Sequence, residues 1–123
     1  MRVGYSISTS EIAEILNRVR QPFNVNTIGN AAALAVLDDE LFVTESCELN
    51  AHQLSYVCDS LGTLDLEFIP SVGNFVSIDF KRPAMTIYEK MLHGGVIVRP
   101  IANYGLPNHL RMTIGLAEEN SVA

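Results

Sequence analysis

The chain has 123 residues, of which 48% are hydrophobic and 18% charged. This composition fits a compact folded domain with its own core and excludes global disorder. Fourteen acidic residues oppose eight basic ones, for a net charge of -6, so a nucleic-acid surface is not expected. No apolar run reaches the roughly 20 residues that cross a bilayer, and the N-terminus has no secretory signal, so we expect a cytoplasmic protein.

The N-terminal part of the chain predicts a short strand followed by a helix. Residues 3–7 alternate as in a strand and lead into Ser8-Thr9-Ser10-Glu11, in which Ser8 and Glu11 form a capping-box pattern. Beyond this cap the apolar residues recur at helical spacing until Pro22, at Ile12, Ile15, Leu16 and Val19. We therefore predict an amphipathic helix here.

Two more helices are predicted before residue 63. The first follows a polar turn at 23–26 and carries a stripe of small and apolar side chains: Ile28, Ala31, Ala32, Ala35 and Val36. Asp38 or Asp39 caps the next, longer helix, and Gly62 ends it. One face of this longer helix holds Val43, Cys47, Leu54, Cys58 and Leu61.

The cysteines and histidines do not form a predicted metal or disulfide site. Within one helix Cys47 and Cys58 are separated by roughly 16 Å of rise, whereas a disulfide needs Cα atoms within about 7 Å. We expect both to be small core residues. His52, His93 and His109 lack the spacing of metal ligands.

Beyond residue 62 the hydrophobic period changes from about 3.6 to 2. Runs at 66–69 and 75–80 predict two adjacent strands, and Pro83 begins a helix carrying Ile87, Tyr88, Met91 and Leu92 that ends at Gly94. The rest of the chain predicts a strand at 96–99, a loop at 100–108, a strand at 109–114 and the acidic first turn of a helix at 118–120. The predicted class is α+β: N-terminal helices followed by a small mixed sheet with helices.

Two arginines are the strongest candidates for binding chemistry. Strand alternation places Arg99 on one face of its strand, and Arg111 on the same face as His109 and Thr113. Both guanidinium groups can then converge beside the loop Asn103-Tyr104-Gly105. Arginine binds carboxylate and phosphate with paired hydrogen bonds, so the pattern allows an anion pocket. It also allows two solvent-facing arginines on an exposed sheet face.

Other catalytic patterns are missing from the sequence. No GxSxG, GxGxxG or Walker motif occurs, and no serine has a histidine and an acid at recognisable spacing. Lys81 and Lys90 are the only lysines. Both lie in charged surroundings, whereas a Schiff-base lysine is usually desolvated.

Several motifs together resemble histidinol-phosphate aminotransferase. They are, in chain order, RVGY at 2–5, RQPFNVN at 20–26, FIPS at 68–71 with GNF at 73–75, GVIVRP at 95–100, LRMTIG at 110–115 and EEN at 118–120. The resemblance covers nearly the whole chain and corresponds to about the last third of a family member.

The resemblance implies the pyridoxal-phosphate enzyme fold of the aspartate aminotransferase type, fold type I. Residues 1–38 would be a remnant of the large-domain edge with connecting helices. Residues 39–123 would form the small C-terminal domain, with its last helix truncated. By this resemblance, Arg2 contacts the cofactor phosphate, and Arg99 and Arg111 bind the anionic ends of the substrates.

The family's cofactor lysine lies upstream of the motif that contains Arg2, where this chain has only Met1. The aromatic residue that stacks on the cofactor ring and the Asp that pairs with the ring nitrogen also belong to the large domain. We therefore predict no catalytic residue, no metal ligand and no covalent binding of pyridoxal phosphate by this chain alone.

Two hypotheses of function follow. The chain is the C-terminal portion of a pyridoxal-phosphate-dependent histidinol-phosphate aminotransferase of histidine biosynthesis, and it supplies an arginine pair for a small anionic substrate. Alternatively, it is a non-catalytic, independently expressed fragment that self-associates or binds small anions. We expect a homodimer or higher assembly, because the apolar stripes of the first two helices would otherwise remain in water.

Overall fold

The computed structural model describes residues 3–123. The chain forms two compact units, of which the first ends at Thr44 and the second spans Glu45–Ala123. The boundary between them falls within one long helix. The helices are α1 (Ser10–Val19), α2 (Thr27–Leu37), α3 (Glu40–Thr63), α4 (Met85–His93) and α5 (Ala117–Asn120). The strands are β1 (Glu67–Ile69), β2 (Phe75–Asp79), β3 (Arg99–Pro100) and β4 (His109–Thr113). The assignment of 1–38 to a large domain and 39–123 to a small one stays a prediction.

The first unit is helical. The apolar stripe of α1 lies on one face of the helix, as the spacing predicts, and all of its members are exposed. Asn26 caps α2, because its Oδ1 accepts a hydrogen bond from the amide of Gly29 over 2.7 Å. Two predictions are wrong: residues 3–7 form no strand, and Thr9 rather than Ser8 is the N-cap of α1, without a side-chain hydrogen bond. Residues 3–44 contain no neighbouring strand for residues 3–7, so alternation alone yields no ladder of hydrogen bonds.

Both ends of α3 depend on aspartates. At the start, Oδ1 of Asp39 accepts a hydrogen bond from the amide of Phe42 over 3.0 Å, which selects Asp39 over Asp38 as the cap. The helix continues one residue past Gly62, and the left-handed backbone beyond its end is at Asp65, with φ of 55°. Aspartate tolerates this conformation better than most residues, so no glycine is required.

The two thiols of α3 are free. Cys47 is exposed and Cys58 is half-buried, so the expectation that both are core residues is wrong for Cys47. The buried residues of α3 are Gln53, Val57 and Leu61, all in its C-terminal half. Only that part of the helix covers the sheet, which leaves Cys47 near the start of the helix in contact with water.

The second unit contains a four-stranded sheet with the order β1-β2-β4-β3. The α+β class is confirmed, and every strand pair is antiparallel rather than mixed. Strand β3 is shorter than the predicted 96–99 and consists of Arg99 and Pro100. The amide of Val96 instead donates to the carbonyl of Met91 over 2.9 Å, so it closes the turn after α4 and makes no ladder bond.

One face of the sheet packs against helices and forms the core. Val76 and Leu110 are fully buried at its centre, and Val57 and Leu61 of α3 pack with them. Helix α4 adds partly buried side chains at Ile87, Tyr88 and Met91. Among residues 3–123, no helix has both the length and the apolar character needed to cross a membrane.

Candidate functional site

Arg99 and Arg111 lie directly opposite each other on β3 and β4, as Cα partners in the antiparallel ladder. Directly opposed residues share one face of a sheet. The next pair along the ladder is Pro100 with Leu110, and Leu110 points into the core. The arginines therefore lie on the face away from the core, and the prediction that they share a face is confirmed.

We call this surface the arginine face. Because side chains alternate along each strand and directly opposed residues share a face, the register assigns its members. They are Glu67, Ile69, Phe75, Ser77, Asp79, Arg99, His109, Arg111 and Thr113.

The Arg111 guanidinium stacks on an aromatic ring. Its Cζ lies 4.9 Å from the centroid of the Phe75 ring, within the range of a cation–π interaction. Its Nε is buried and has no hydrogen-bond partner, and among residues 3–123 no carboxylate forms an ion pair with it. The charge of Arg111 is therefore held in place by a ring without being neutralised.

Four ionisable side chains lie at one end of the sheet, where β1 and β4 begin and β2 ends. Lys81 Nζ contacts Glu67 Oε2 and lies 3.0 Å from Asp79 Oδ2. Hydrogen bonds to Glu67 and then Asp79 raise the pKa of Lys81. The backbone amide of Lys81, which donates to Asp79 Oδ1 over 2.8 Å, is the main cause of a lowered pKa at Asp79. His109 completes the group, with its Nε2 4.0 Å from Asp79 Oδ2.

The loop Asn103-Tyr104-Gly105, predicted to lie beside the two arginines, makes no side-chain hydrogen bond to either of them among the described residues. Ala102–Tyr104 forms a 3-10 turn, and Gly105 ends it with φ of 78°. The two arginines are brought together by strand pairing alone.

Neither lysine of the chain has the surroundings of a Schiff-base lysine. A Schiff base requires an unprotonated amine, and the two carboxylates that contact Lys81 favour its protonated form. Lys90 is exposed on α4. Arg2 lies outside the described residues, so its contact with the cofactor phosphate stays a prediction. Within the described chain, no three His, Cys, Asp or Glu side chains are grouped as metal ligands would be.

Phe75 is the site residue that sequence reasoning missed. Its motif at 73–75 contributed to the family resemblance, and alternation with Ser77 is enough to assign its face. Its contact with Arg111 depends on the register of β2 against β4, in which Ser77 opposes Arg111 and Phe75 opposes Thr113. Phe75 is thus the diagonal neighbour of Arg111, a separation that aromatic and long side chains can bridge.

Comparison with known proteins gives the family. A model for aminotransferase class I and II matches residues 1–122. Histidinol-phosphate aminotransferase 1 of Mannheimia succiniciproducens is 53% identical over 120 residues, which cover 98% of this chain and 33% of that protein. Histidinol-phosphate aminotransferase 2 of Pseudomonas aeruginosa is 49% identical over 120 residues, which cover 98% and 32%. The chain spans about a third of the length of the curated relatives it matches.

Solved structures share the fold. Histidinol-phosphate aminotransferase from Sinorhizobium meliloti, in complex with pyridoxal-5'-phosphate, has a TM-score of 0.76 and 24% identity, with 91% of this chain and 32% of that chain covered. The enzyme from Clostridium acetobutylicum has a TM-score of 0.78 and 22% identity, with 90% and 35% covered. This likeness confirms the fold-type I expectation, and the relatives confirm the resemblance to histidinol-phosphate aminotransferase. The chain belongs to the aminotransferase class I and II family.

Proposed function

We propose that this chain is the C-terminal portion of a cytoplasmic, pyridoxal-phosphate-dependent histidinol-phosphate aminotransferase and forms its substrate-anion site. Arg99 and Arg111 bind the phosphate or carboxylate end of the substrate. The covalent chemistry belongs to residues outside this chain. The similarity to histidinol-phosphate aminotransferases over 98% of the chain supports the reaction class.

The observation that carries this proposal is the direct opposition of Arg99 and Arg111. Two like charges at opposed positions of a sheet destabilise the strand pair. Such a pair is explained by a ligand that neutralises both charges. Opposed Cα atoms in an antiparallel sheet are about 4.5–5.5 Å apart, so two long side chains can both reach one small anion.

The expected affinity of this pair is low. A charge-assisted hydrogen bond contributes about 1.5–3 kcal/mol, so one such bond from each arginine gives roughly 3–6 kcal/mol. A dissociation constant of 1 mM corresponds to about 4.1 kcal/mol. We therefore expect the isolated chain to bind inorganic phosphate with a dissociation constant on the order of millimolar.

A phosphate titration followed by amide chemical shifts tests the proposal. Shifts should concentrate at β3 and β4 and disappear in an Arg99→Ala, Arg111→Ala double variant. Arg82→Ala is the matched control, because Arg82 is an exposed arginine of the same unit that lies outside the arginine face. Equal shifts in the wild-type chain and the double variant would mean that the anion binds elsewhere.

The second candidate function is self-association, and a specific observation favours it. In the first unit, Gly29 is the only buried residue among those the structure describes. The α1 stripe of Ile12, Ile15, Leu16 and Val19 is exposed. Burial of apolar surface contributes roughly 25 cal/mol per Å². A second copy of the chain offers the same stripe, and a two-fold contact between identical stripes is self-limiting.

A further inference from the structure

The contact between Phe75 and Arg111 has a consequence for anion binding. The Arg111 Cζ lies 4.9 Å from the ring centroid, and Nε is buried without a hydrogen-bond partner. We propose that Phe75 is a positioning residue, whose ring holds the Arg111 guanidinium in the orientation that binds the substrate anion. This proposal rests on the proposed function of the arginine pair.

An aromatic ring, unlike a carboxylate, can orient the Arg111 guanidinium without neutralising its charge. Lys81, in the bend that follows β2, is held by Glu67 and Asp79, and these two carboxylates neutralise it. Phe75 orients Arg111 through the negative face of its ring and carries no formal charge. The guanidinium therefore loses rotational freedom while its full charge stays available to an anion, which lowers the ordering cost of binding.

Phe75 lies outside the core cluster of the second unit. Its side chain is 38% exposed, and it lies on the arginine face, whereas its neighbour Val76 is fully buried on the opposite face. The other residues of this face are polar or charged except Ile69 in β1. The ring contact with Arg111 gives this residue type a specific use at this position.

The experiment compares Phe75→Leu, which removes the ring, with Phe75→Tyr, which keeps it. Val72→Ala is the matched control, since Val72 is an exposed apolar residue of the same unit that lies outside the arginine face. An exposed cation–π contact of about 0.5–1 kcal/mol corresponds to a two- to fivefold change in affinity. We expect Phe75→Leu to weaken phosphate binding two- to fivefold, and Phe75→Tyr and Val72→Ala to stay within experimental error of the wild type.

A second measurement reads the position of Arg111 directly. The Nε–Hε resonance of Arg111 is shifted by the ring current of a stacked aromatic, so it should move in Phe75→Leu and stay in Phe75→Tyr. In an Arg111→Ala background, Phe75→Leu should have no further effect on phosphate affinity. If Phe75→Leu does not fold, Phe75→Met serves for both measurements.

The outcomes separate this inference from the proposed function. If the Arg99→Ala, Arg111→Ala variant still binds phosphate like the wild type, the proposed anion site is wrong. The inference itself is overturned by an unmoved Arg111 Hε resonance in Phe75→Leu. It is also overturned by an affinity loss that persists when Arg111 is already alanine, since the ring would then act on something else.

Discussion

Asn120 Nδ2 donates to Gln53 Oε1 over 2.9 Å, and both side chains are buried. The same amide group of Asn120 donates to the carbonyl of Gly115 over 3.0 Å, and its Oδ1 accepts from the amide of Gly115 over 3.0 Å. One side chain of α5 thus satisfies both backbone groups of Gly115, just beyond β4, and ties them to α3. Buried polar groups that lose such partners destabilise the folded state.

We expect Asn120→Ala to lower the free energy of unfolding by about 2–4 kcal/mol. The substitution leaves Gln53 Oε1 and the two backbone groups of Gly115 without their partner, and each unsatisfied buried group costs about 1–3 kcal/mol, with partial relief from water. Urea unfolding followed by circular dichroism measures the change. Asn103→Ala, which truncates an exposed asparagine, should stay within about 0.5 kcal/mol of the wild type. Equal midpoints for both variants would show that the Asn120 network does not stabilise the fold.

The fold is largely predictable from the sequence, because its elements are encoded locally. The spacing of Ile12, Ile15, Leu16 and Val19 defines α1, and Pro22 limits it. β1 and β2 are adjacent, as predicted, and the short turn between residues 69 and 75 makes them antiparallel. Alternation within 109–114 correctly places Arg111 on the same face as His109 and Thr113, whereas the shared face of Arg99 and Arg111 depends on the register of β3 against β4.

The remaining features depend on contacts between distant parts of the chain. Residues 3–7 alternate like a strand but have no partner strand among the described residues of their unit, and local sequence does not encode that absence. Cys47 lies on the predicted apolar face of α3, yet the sheet is covered only by the later turns of that helix. The pairing of Phe75 with Arg111 requires the register of β2 against β4, two strands separated in sequence by α4 and β3.

The stability of the second unit should fall in acid partly through Asp79. The pKa of this carboxyl is lowered in the folded state, chiefly by its hydrogen bond from the Lys81 amide. A group of this kind stabilises the fold above its unfolded pKa of about 3.9, and the contribution disappears as the pH falls through the lower folded value. Asp79→Asn should therefore be less stable than the wild type above about pH 5 and should show a shallower loss below about pH 4.

Urea midpoints measured across this pH range test the prediction for Asp79. Asp38→Asn is the control, because it removes an exposed carboxylate that forms no ion pair in the described chain. It should follow the wild-type acid profile. Parallel profiles for Asp79→Asn and the wild type would contradict the role assigned to the Lys81 contact.

We expect pyridoxal phosphate to form no stoichiometric Schiff base with this chain. Glu67 and Asp79 raise the pKa of Lys81, so its amine stays protonated and is a poor nucleophile at neutral pH. Absorbance before and after borohydride reduction, with mass spectrometry of the product, measures the adduct. A Glu67→Gln, Asp79→Asn variant lowers the Lys81 pKa and should give more adduct at that residue. A stoichiometric adduct on Lys81 or Lys90 of the wild-type chain would contradict this expectation.

The exposed stripe of α1 predicts a concentration-dependent assembly of the isolated chain. Ile15 lies at the centre of this stripe, and a charge placed there cannot be buried against a second copy without a large desolvation cost. Light scattering across a dilution series should show a dimer or larger species that Ile15→Glu dissociates. Asn17→Glu, on the polar side of the same helix, adds the same charge and should leave the assembly intact. A well-folded monomer at high concentration, unchanged by Ile15→Glu, would show that the stripe does not mediate self-association.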